Sequence, residues 1–201
     1  MLTFRICNTQ IRLSIWFFAV LYLFLIMDTQ RLYPLFFGSI FLHEGGHLLM
    51  MKLCGKKVDA ISFMPFGIQV RCEDTVEQSY GREIAITLAG PFLNLLCAGV
   101  CFLLAGDATA GTLALLAAVN LTLGVFNLLP IGVLDGGRLL HEILQMRGVE
   151  RQESIAAAVS FLFLAPLLFL ALWLFLTQGH NPTLLITGIY LTATAIFKLR
   201  Q

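Results

Sequence analysis

Apolar residues run in long blocks along this chain, and polar and charged residues gather in the short breaks between them. Six blocks can be drawn, approximately Leu13 to Met27, Leu32 to Leu53, Ile84 to Ala105, Gly111 to Leu129, Ile155 to Thr177, and Pro182 to Phe197. Most approach the roughly 20 residues that a helix needs to cross a hydrocarbon core. The first is short, with Arg12 before it and Asp28 after it. It has no small-residue cleavage site after Met27, as a signal peptide would. Pro34 and Pro182 fall near helix starts, where a missing N–H costs little, and Asn181 can cap the last helix. Pro166 lies mid-span and is expected to kink the fifth helix. The stretch from Val58 to Cys72 is too short for a span and is broken by Pro65 and Gly67. It predicts two short strands joined at Pro65 to Gly67. The expected architecture is an all-α membrane protein of six transmembrane helices, with a small β-hairpin between the second and third. It forms one integral-membrane domain over residues 1–201.

Composition agrees with a lipid environment. Hydrophobic residues make up 58% of the 201, charged residues 12%, and the mean hydropathy is +0.85. A soluble domain carries about 25% charged residues. The net charge of +1 gives no basis for a nucleic-acid partner. Charge position is more informative than charge sum. With the N-terminus inside, the inner segments hold Arg5, Arg12, Lys52, Lys56, Lys57, Arg71, Arg82, Arg138, Arg147, Arg151, Lys198 and Arg200, and the outer segments hold only Arg31. Such asymmetry places basic segments in the cytoplasm. Both termini are then cytoplasmic, in a multi-pass protein of the cell membrane.

Candidate chemistry lies in the second block. His43-Glu44-Gly45-Gly46-His47 sits inside the apolar run from Leu32 to Met51. Ionisable residues are expensive in a membrane and mark function by default. Residues four apart share a helix face, so His43 and His47 can address one metal ion. Glu44 stands beside them, where it can take a proton from water. Zinc is the expected metal.

A catalytic zinc site wants three protein ligands and an open position. The candidate third ligand is Asp135, in Asn127-Leu128-Leu129-Pro130-Ile131-Gly132-Val133-Leu134-Asp135-Gly136-Gly137-Arg138. Pro130 and Gly132 break the helix there and let the chain fold back. In the expected topology His43 and His47 lie about 15 to 21 Å from the outer end of their helix, past mid-membrane. Asp135 approaches from that inner side, whereas Asp28 and Asp107 lie in outer loops. A plain helix cap is the other reading of Asp135.

The paired motifs, HExxH in one span and N-x-x-P-x-x-x-L-D-G in a later one, resemble the site-2 protease family of intramembrane metalloproteases. Ala89-Gly90-Pro91-Phe92-Leu93-Asn94 in the third block is similar to a further family pattern. The likeness runs from about Phe41 to Arg138, and the expected catalytic core is about residues 33–138. It implies that His43, His47 and Asp135 hold Zn2+ and that Glu44 activates water. It also implies that Asn127 and Pro130 help to position substrate, with Asn94 grouped beside them in a less defined role. In that family the 58–72 hairpin lies beside the active site, where an exposed edge could take up a substrate strand. A plain cytoplasmic hairpin is the other reading. The span order, with no PDZ-like insertion, resembles the sporulation-factor-like branch, whose members cleave membrane-tethered precursors of transcription factors. Only Lys198 to Gln201 follow the last block, leaving no room in this sequence for the nucleotide-sensing domain of some relatives. Gly45-Gly46 is a second departure, because a large aliphatic residue is common at the first of those positions. Two glycines weaken a helix by about 1 kcal/mol each relative to alanine, and they let another helix approach closely.

The expected function is cleavage of a peptide bond in or near a transmembrane segment of a membrane-tethered protein. The bilayer is its medium, and regulatory membrane proteins are further expected partners. Two other classes stay open. A membrane metal transporter also carries intramembrane His and Asp, but needs no Glu44 beside His43 and no fold-back after Pro130. A catalytically silent binder of membrane helices would tolerate loss of Glu44 or a ligand. Other polar residues carry plainer readings. His141-Glu142 has Gln145 where a second histidine would stand and reads as an interfacial helix face. His180 falls in an outer loop. The five cysteines show no C-x-x-C spacing, and Cys97 and Cys101 read as packing residues on one helix face.

The charge pattern sets a direct test. On a background without native cysteines, His180→Cys is expected to react with a membrane-impermeant thiol reagent in intact cells, and Arg200→Cys is not. The opposite labelling would invert the topology.

Overall fold

The computed structural model describes residues 2–6, 9–15, 17–19, 22, 26, 32–64, 67–72, 79–105, 110–178 and 183–198. The chain divides into two units, Met1–Gly124 and Val125–Gln201.

The first unit begins with strands rather than a bare tail. Strands β1 (Leu2–Ile6) and β2 (Thr9–Leu13) pair antiparallel, from Leu2 opposite Leu13 to Ile6 opposite Thr9. Helix α1 (Leu32–Leu53) follows, then β3 (Val58–Met64) and β4 (Gly67–Cys72), antiparallel to each other. The expected strands on either side of Pro65 are therefore present, although residues 65 and 66 lie outside the described residues. The sheet is larger than a hairpin. It has four strands in the order β1-β2-β3-β4, and β2 runs parallel to β3, with Gln10 opposite Ala60 and Leu13 opposite Phe63. A parallel pair needs a long crossover, which the chain through α1 supplies. The sheet thus tethers the N-terminus to the segment after α1. Leu13, expected to open a span, is instead the last residue of β2. Its alternation of apolar and polar residues fits a strand better than a helix start.

Helix α1 ends in a glycine-capped turn. Gly55 adopts φ +78, its N–H donates to the Lys52 carbonyl at 3.1 Å, and the Lys56 N–H donates to the Met51 carbonyl at 2.9 Å. This is the pairing of a Schellman motif, whose left-handed residue is most easily glycine. Lys56 then reaches across to α2 (Tyr80–Leu104), where its Nζ lies 2.6 Å from Oε1 of Glu83. Helix α3 (Ala110–Asn127) completes the set.

The second unit takes the closing residues of α3 and adds α4 (Asp135–Met146), α5 (Gln152–Gln178) and α6 (Thr183–Lys198). Its core is a small cluster of Ile131, Leu164, Leu191 and Ala195, with Phe126, Leu129, Leu134 and Leu167 packed against it. Helix α5 continues through Pro166 as one element. Helix α4 is the element that the block pattern did not set apart as a span, being short and amphipathic.

Five of the six expected spans coincide with α1, α2, α3, α5 and α6. About half of the first lies outside the described residues, and those described between 15 and 26 are helical. Helix α2 and residues Gln152–Thr177 of α5 are long and apolar enough to cross a membrane, while Gly111–Asn127 and Leu184–Ala195 are shorter apolar stretches. Leu162, Phe169, Trp173 and Leu176 of α5 are all more than half exposed. An apolar face of that extent is costly in water and ordinary in lipid. The protein is therefore mainly helical, and a four-stranded sheet corrects the all-α expectation.

Candidate metal centre

Helix α1 brings His43 and His47 onto one face. Their ring centroids are 4.8 Å apart, and their Nε2 atoms face each other at 3.2 Å. Each Nδ1 is already committed. The Nδ1 of His47 lies 2.8 Å from the main-chain carbonyl of Ile86, which can only accept, so this nitrogen carries the proton. The Nδ1 of His43, a residue only 5% exposed, lies 2.6 Å from Oδ1 of Asn94.

The orientation of the Asn94 amide follows from its other partners, since oxygen and nitrogen are assigned by the hydrogen-bond network. Its Nδ2 donates to the main-chain carbonyl of Ser39 at 3.1 Å and to Oδ1 of Asn120 at 2.8 Å. A carbonyl accepts only, so the nitrogen must face Ser39 and the oxygen must face His43. The Nδ1 of His43 is therefore the donor, as that of His47 is, and in each ring Nε2 is the nitrogen that can ligate a metal. The two Nε2 atoms lie 3.2 Å apart on the same side of α1. Two ring nitrogens presented together in this way form a donor pair for one metal ion. Metal-ligating histidines use this arrangement, with the distal N–H tied to a carbonyl or amide oxygen. The donor chemistry fits zinc, which takes neutral imidazole nitrogen.

Close helix packing makes this possible. A Cβ on Gly46 would come within 2.7 Å of the Ala89 carbonyl, and a Cβ on Gly90 would overlap the His47 ring. Pro91, next in α2, cannot donate to the Thr87 carbonyl, which loosens the helix beside the contact. The Gly45-Gly46 departure thus has a physical use at its second position, while nothing lies within 4 Å of a Cβ on Gly45. Glu44 follows His43 on α1, partly buried.

In the second unit, Asn127 is the last residue of α3 and Asp135 the first of α4. The N-cap position is Leu134, without a side-chain cap, so Asp135 does not occupy the capping position that its setting suggested. Between them the chain folds back, as Pro130 and Gly132 predict. The Leu134 N–H donates to the Ile131 carbonyl at 2.8 Å, and Ile131 is fully buried. Ser160 of α5 accepts from the Gly132 N–H at 3.0 Å and lies 3.3 Å from the Pro130 carbonyl. A Cβ on Gly136 or Gly137 would overlap the carbonyls of Leu128 or Ile131, so only glycine fits the start of α4. Ser160 escaped the sequence reading, although a serine in an apolar span is a polar group that must find partners.

Glu142, read as part of an interfacial face, is instead 7% exposed and receives the Arg138 Nε at 3.1 Å. Arg138, one turn earlier, supplies the charge that lets a carboxylate be buried there. Cys97 and Cys101 lie with their sulfurs 4.0 Å apart on one face of α2, consistent with packing. Asp28, Asp107 and His180 lie outside the described residues.

The helical fold and the paired histidines define a metal-binding protein with membrane-spanning character. A family profile described as Peptidase family M50 matches residues 32–111 and 105–170. The chain belongs to this family, the site-2 protease family, which is integral to membranes. It is 31% identical over 172 residues to a zinc metalloprotease of Methanocaldococcus jannaschii, covering 78% of this chain and 49% of that protein. It is 30% identical over 103 residues to Stage IV sporulation protein FB of Bacillus subtilis, covering 50% and 36% respectively. The chain thus spans half or less of the length of these curated relatives. Among solved structures it is similar to the site-2 protease from Methanocaldococcus jannaschii, with TM-score 0.64, 28% identity, and coverage of 96% of this chain and 93% of that one.

The glycine contact gives a test independent of turnover. Gly90→Ala is expected to displace His47 and weaken zinc binding by about 10- to 100-fold, the range for disturbed ligand support. Gly99→Ala on the same helix, where nothing lies within 4 Å of the added carbon, should bind zinc as the wild type does. Chelator competition on the purified proteins measures both.

Proposed function

We propose that this chain is an intramembrane zinc metalloprotease that cuts a peptide bond in or near a transmembrane segment of a membrane-tethered protein. The observation that carries the reading is the pair of histidines on one helix of an M50 family member, each with its Nδ1 held by a hydrogen bond and its Nε2 turned toward the other. His43 and His47 hold the metal through those atoms, and Asp135 supplies the third, anionic ligand. When bound, zinc supplies Lewis acidity toward a substrate carbonyl and toward water.

The chain's own groups do the rest. Glu44 accepts a proton from the attacking water and returns it to the leaving amine. Asn127 and Pro130, in the folded-back segment, hold the substrate backbone extended beside the metal, and Asn94 serves the site through His43. A substrate helix has its carbonyls closed in hydrogen bonds, so it must unwind locally before a peptide bond is available. Substrates with helix-weakening residues near the cut fit this requirement. Six spans, both termini in the cytoplasm and water entry from that side complete the proposal, supported by the basic asymmetry of the sequence. A membrane-tethered transcription-factor precursor, or its regulator, is the proposed substrate class, supported by the similarity to the sporulation protein.

Glu44→Gln is expected to keep the fold and the zinc while lowering cleavage by at least ~10²-fold, because the amide cannot accept the proton. Near wild-type turnover in the purified variant would remove Glu44 from the role. Reconstituted vesicles separate cleavage from metal flux in the same preparation.

Asp135 has its own discriminating variant. Asp135→Ala should lose zinc, since two histidines leave the ion under-coordinated. Asp135→Asn should be intermediate, because a neutral oxygen can coordinate without balancing the metal charge. Zinc content and cleavage measured together on Asp135→Asn decide the matter, with Glu44→Gln as the metal-replete inactive control. Full occupancy with wild-type activity would send the search to another residue.

A further inference from the structure

Behind the histidines a buried polar chain links Asn94 to two residues that the apolar pattern hides, Asn120 and Ser39. Asn120 of α3 and Asn94 of α2 are both 0% exposed, and Ser39 of α1 is 2% exposed. Asn120 accepts from Asn94 Nδ2 at 2.8 Å through its Oδ1. Its own Nδ2 donates to the Leu116 carbonyl and to Ser39 Oγ, both at 2.9 Å. The Ser39 hydroxyl in turn donates to the Leu35 carbonyl at 2.8 Å. The hydrogen bonds of this chain therefore have one self-consistent direction. Leu35 and Leu116 carbonyls fix Ser39 and Asn120, Asn120 helps to fix Asn94, and Asn94 fixes His43.

We propose that Asn120 is a positioning residue for the metal-ligating ring of His43, acting through the Asn94 amide and anchored by Ser39. The inference rests on the zinc reading of His43 and His47. An asparagine amide is nearly symmetric in shape, so packing alone does not choose between its two orientations. If Asn94 turned over, its NH2 would face His43 Nδ1. The imidazole would then have to accept there and move its proton to Nε2, the atom needed for the metal. Two acceptors oppose that rotation, the Ser39 carbonyl and Asn120 Oδ1. The first is main chain and present with any side chain at 39, so Asn120 is the contribution that the sequence controls. Ser39 Oγ and the Leu116 carbonyl keep the accepting oxygen of Asn120 pointed at Asn94.

A purely structural clip between three helices is the competing account, since interhelical hydrogen bonds hold membrane helices together. It predicts lost stability with an unchanged imidazole. The two accounts separate in the purified full chain, by zinc affinity from chelator competition and by histidine 15N NMR of metal-free protein, which reports which ring nitrogen bears the proton. Asn120→Leu is expected to weaken zinc binding by about tenfold and to populate the Nε2–H form of His43. Asn120→Asp, neutral in so buried a site, keeps an accepting oxygen toward Asn94 and an O–H donor, and should restore affinity and tautomer toward wild type. Ser39→Ala leaves the helix contacts in place and carries the test if the leucine variant does not fold. It should shift both readouts in the same direction, by less. Wild-type affinity and an Nδ1–H His43 in a folded Asn120→Leu or Ser39→Ala protein would overturn the proposal. So would an aspartate variant as impaired as the leucine one. If the wild type bound no zinc, the zinc reading would fall, while the tautomer comparison would still decide whether Asn120 governs His43.

Discussion

His43 and His47 turn their Nε2 atoms toward each other at 3.2 Å, a spacing at which both can serve one metal ion. The groups around the pair hold the two rings in that arrangement. The Ile86 carbonyl takes the far proton of His47, and the Asn94 amide oxygen takes that of His43. Free of those partners, either ring could rotate or shift its proton and make an ordinary hydrogen bond. The ring orientations are set by packing and hydrogen bonding around them, so the metal-binding geometry is built into the fold. It follows that the architecture of α1, α2 and α3 is best understood as support for two rings.

That support depends on how near the helices come. Glycine at 46 and 90 removes two β-carbons from the α1–α2 contact, and the Ile86 carbonyl can then reach His47. Glycine costs a helix about 1 kcal/mol relative to alanine. Within a bilayer, helices associate through van der Waals contact and interhelical hydrogen bonds rather than through the hydrophobic effect. Small residues at 46, 89 and 90, with buried amides at 94 and 120, use both. An amide buried without a partner costs about 1 to 3 kcal/mol, so the network holds together only as a complete set, and the fold cannot lose one member cheaply.

Much of this was legible in the sequence, for a definable reason. His43, Glu44 and His47 lie within five residues on one helix, so local geometry alone relates them. Five of the expected helices and the 58–72 strands rest likewise on local periodicity. What escaped depends on contacts between distant segments. Strand β2 joins β3 across some fifty residues, and no local pattern announces a parallel pairing, although the alternation in Leu2–Ile6 was a usable signal. Asn94 was visible as a motif position, yet its partner follows only from the packing of α1 on α2. Asn120 and Ser39 sit in spans that read as featureless apolar helix. The available signal was the anomaly itself, since a lone asparagine in such a helix must be paired or functional.

The second unit obeys the same logic by different means. There the chain leaves α3 at Asn127 and re-enters helix at Asp135, and the turn between them is held by protein contacts throughout. Ile131 is buried beneath it, Ser160 clasps the Gly132 N–H, and Gly136 and Gly137 let the first turn of α4 lie against the carbonyls of Leu128 and Ile131. Asp135 follows an N-cap that makes no side-chain bond of its own, in the first turn, where the helix dipole favours a negative charge. In the proposed site it is the one anionic ligand beside two neutral ones, which leaves the bound ion with net positive charge. A site of that charge remains electrophilic, and electrophilicity is what hydrolysis of an unactivated amide demands. Each unit thus orients its own side chains through contacts within that unit.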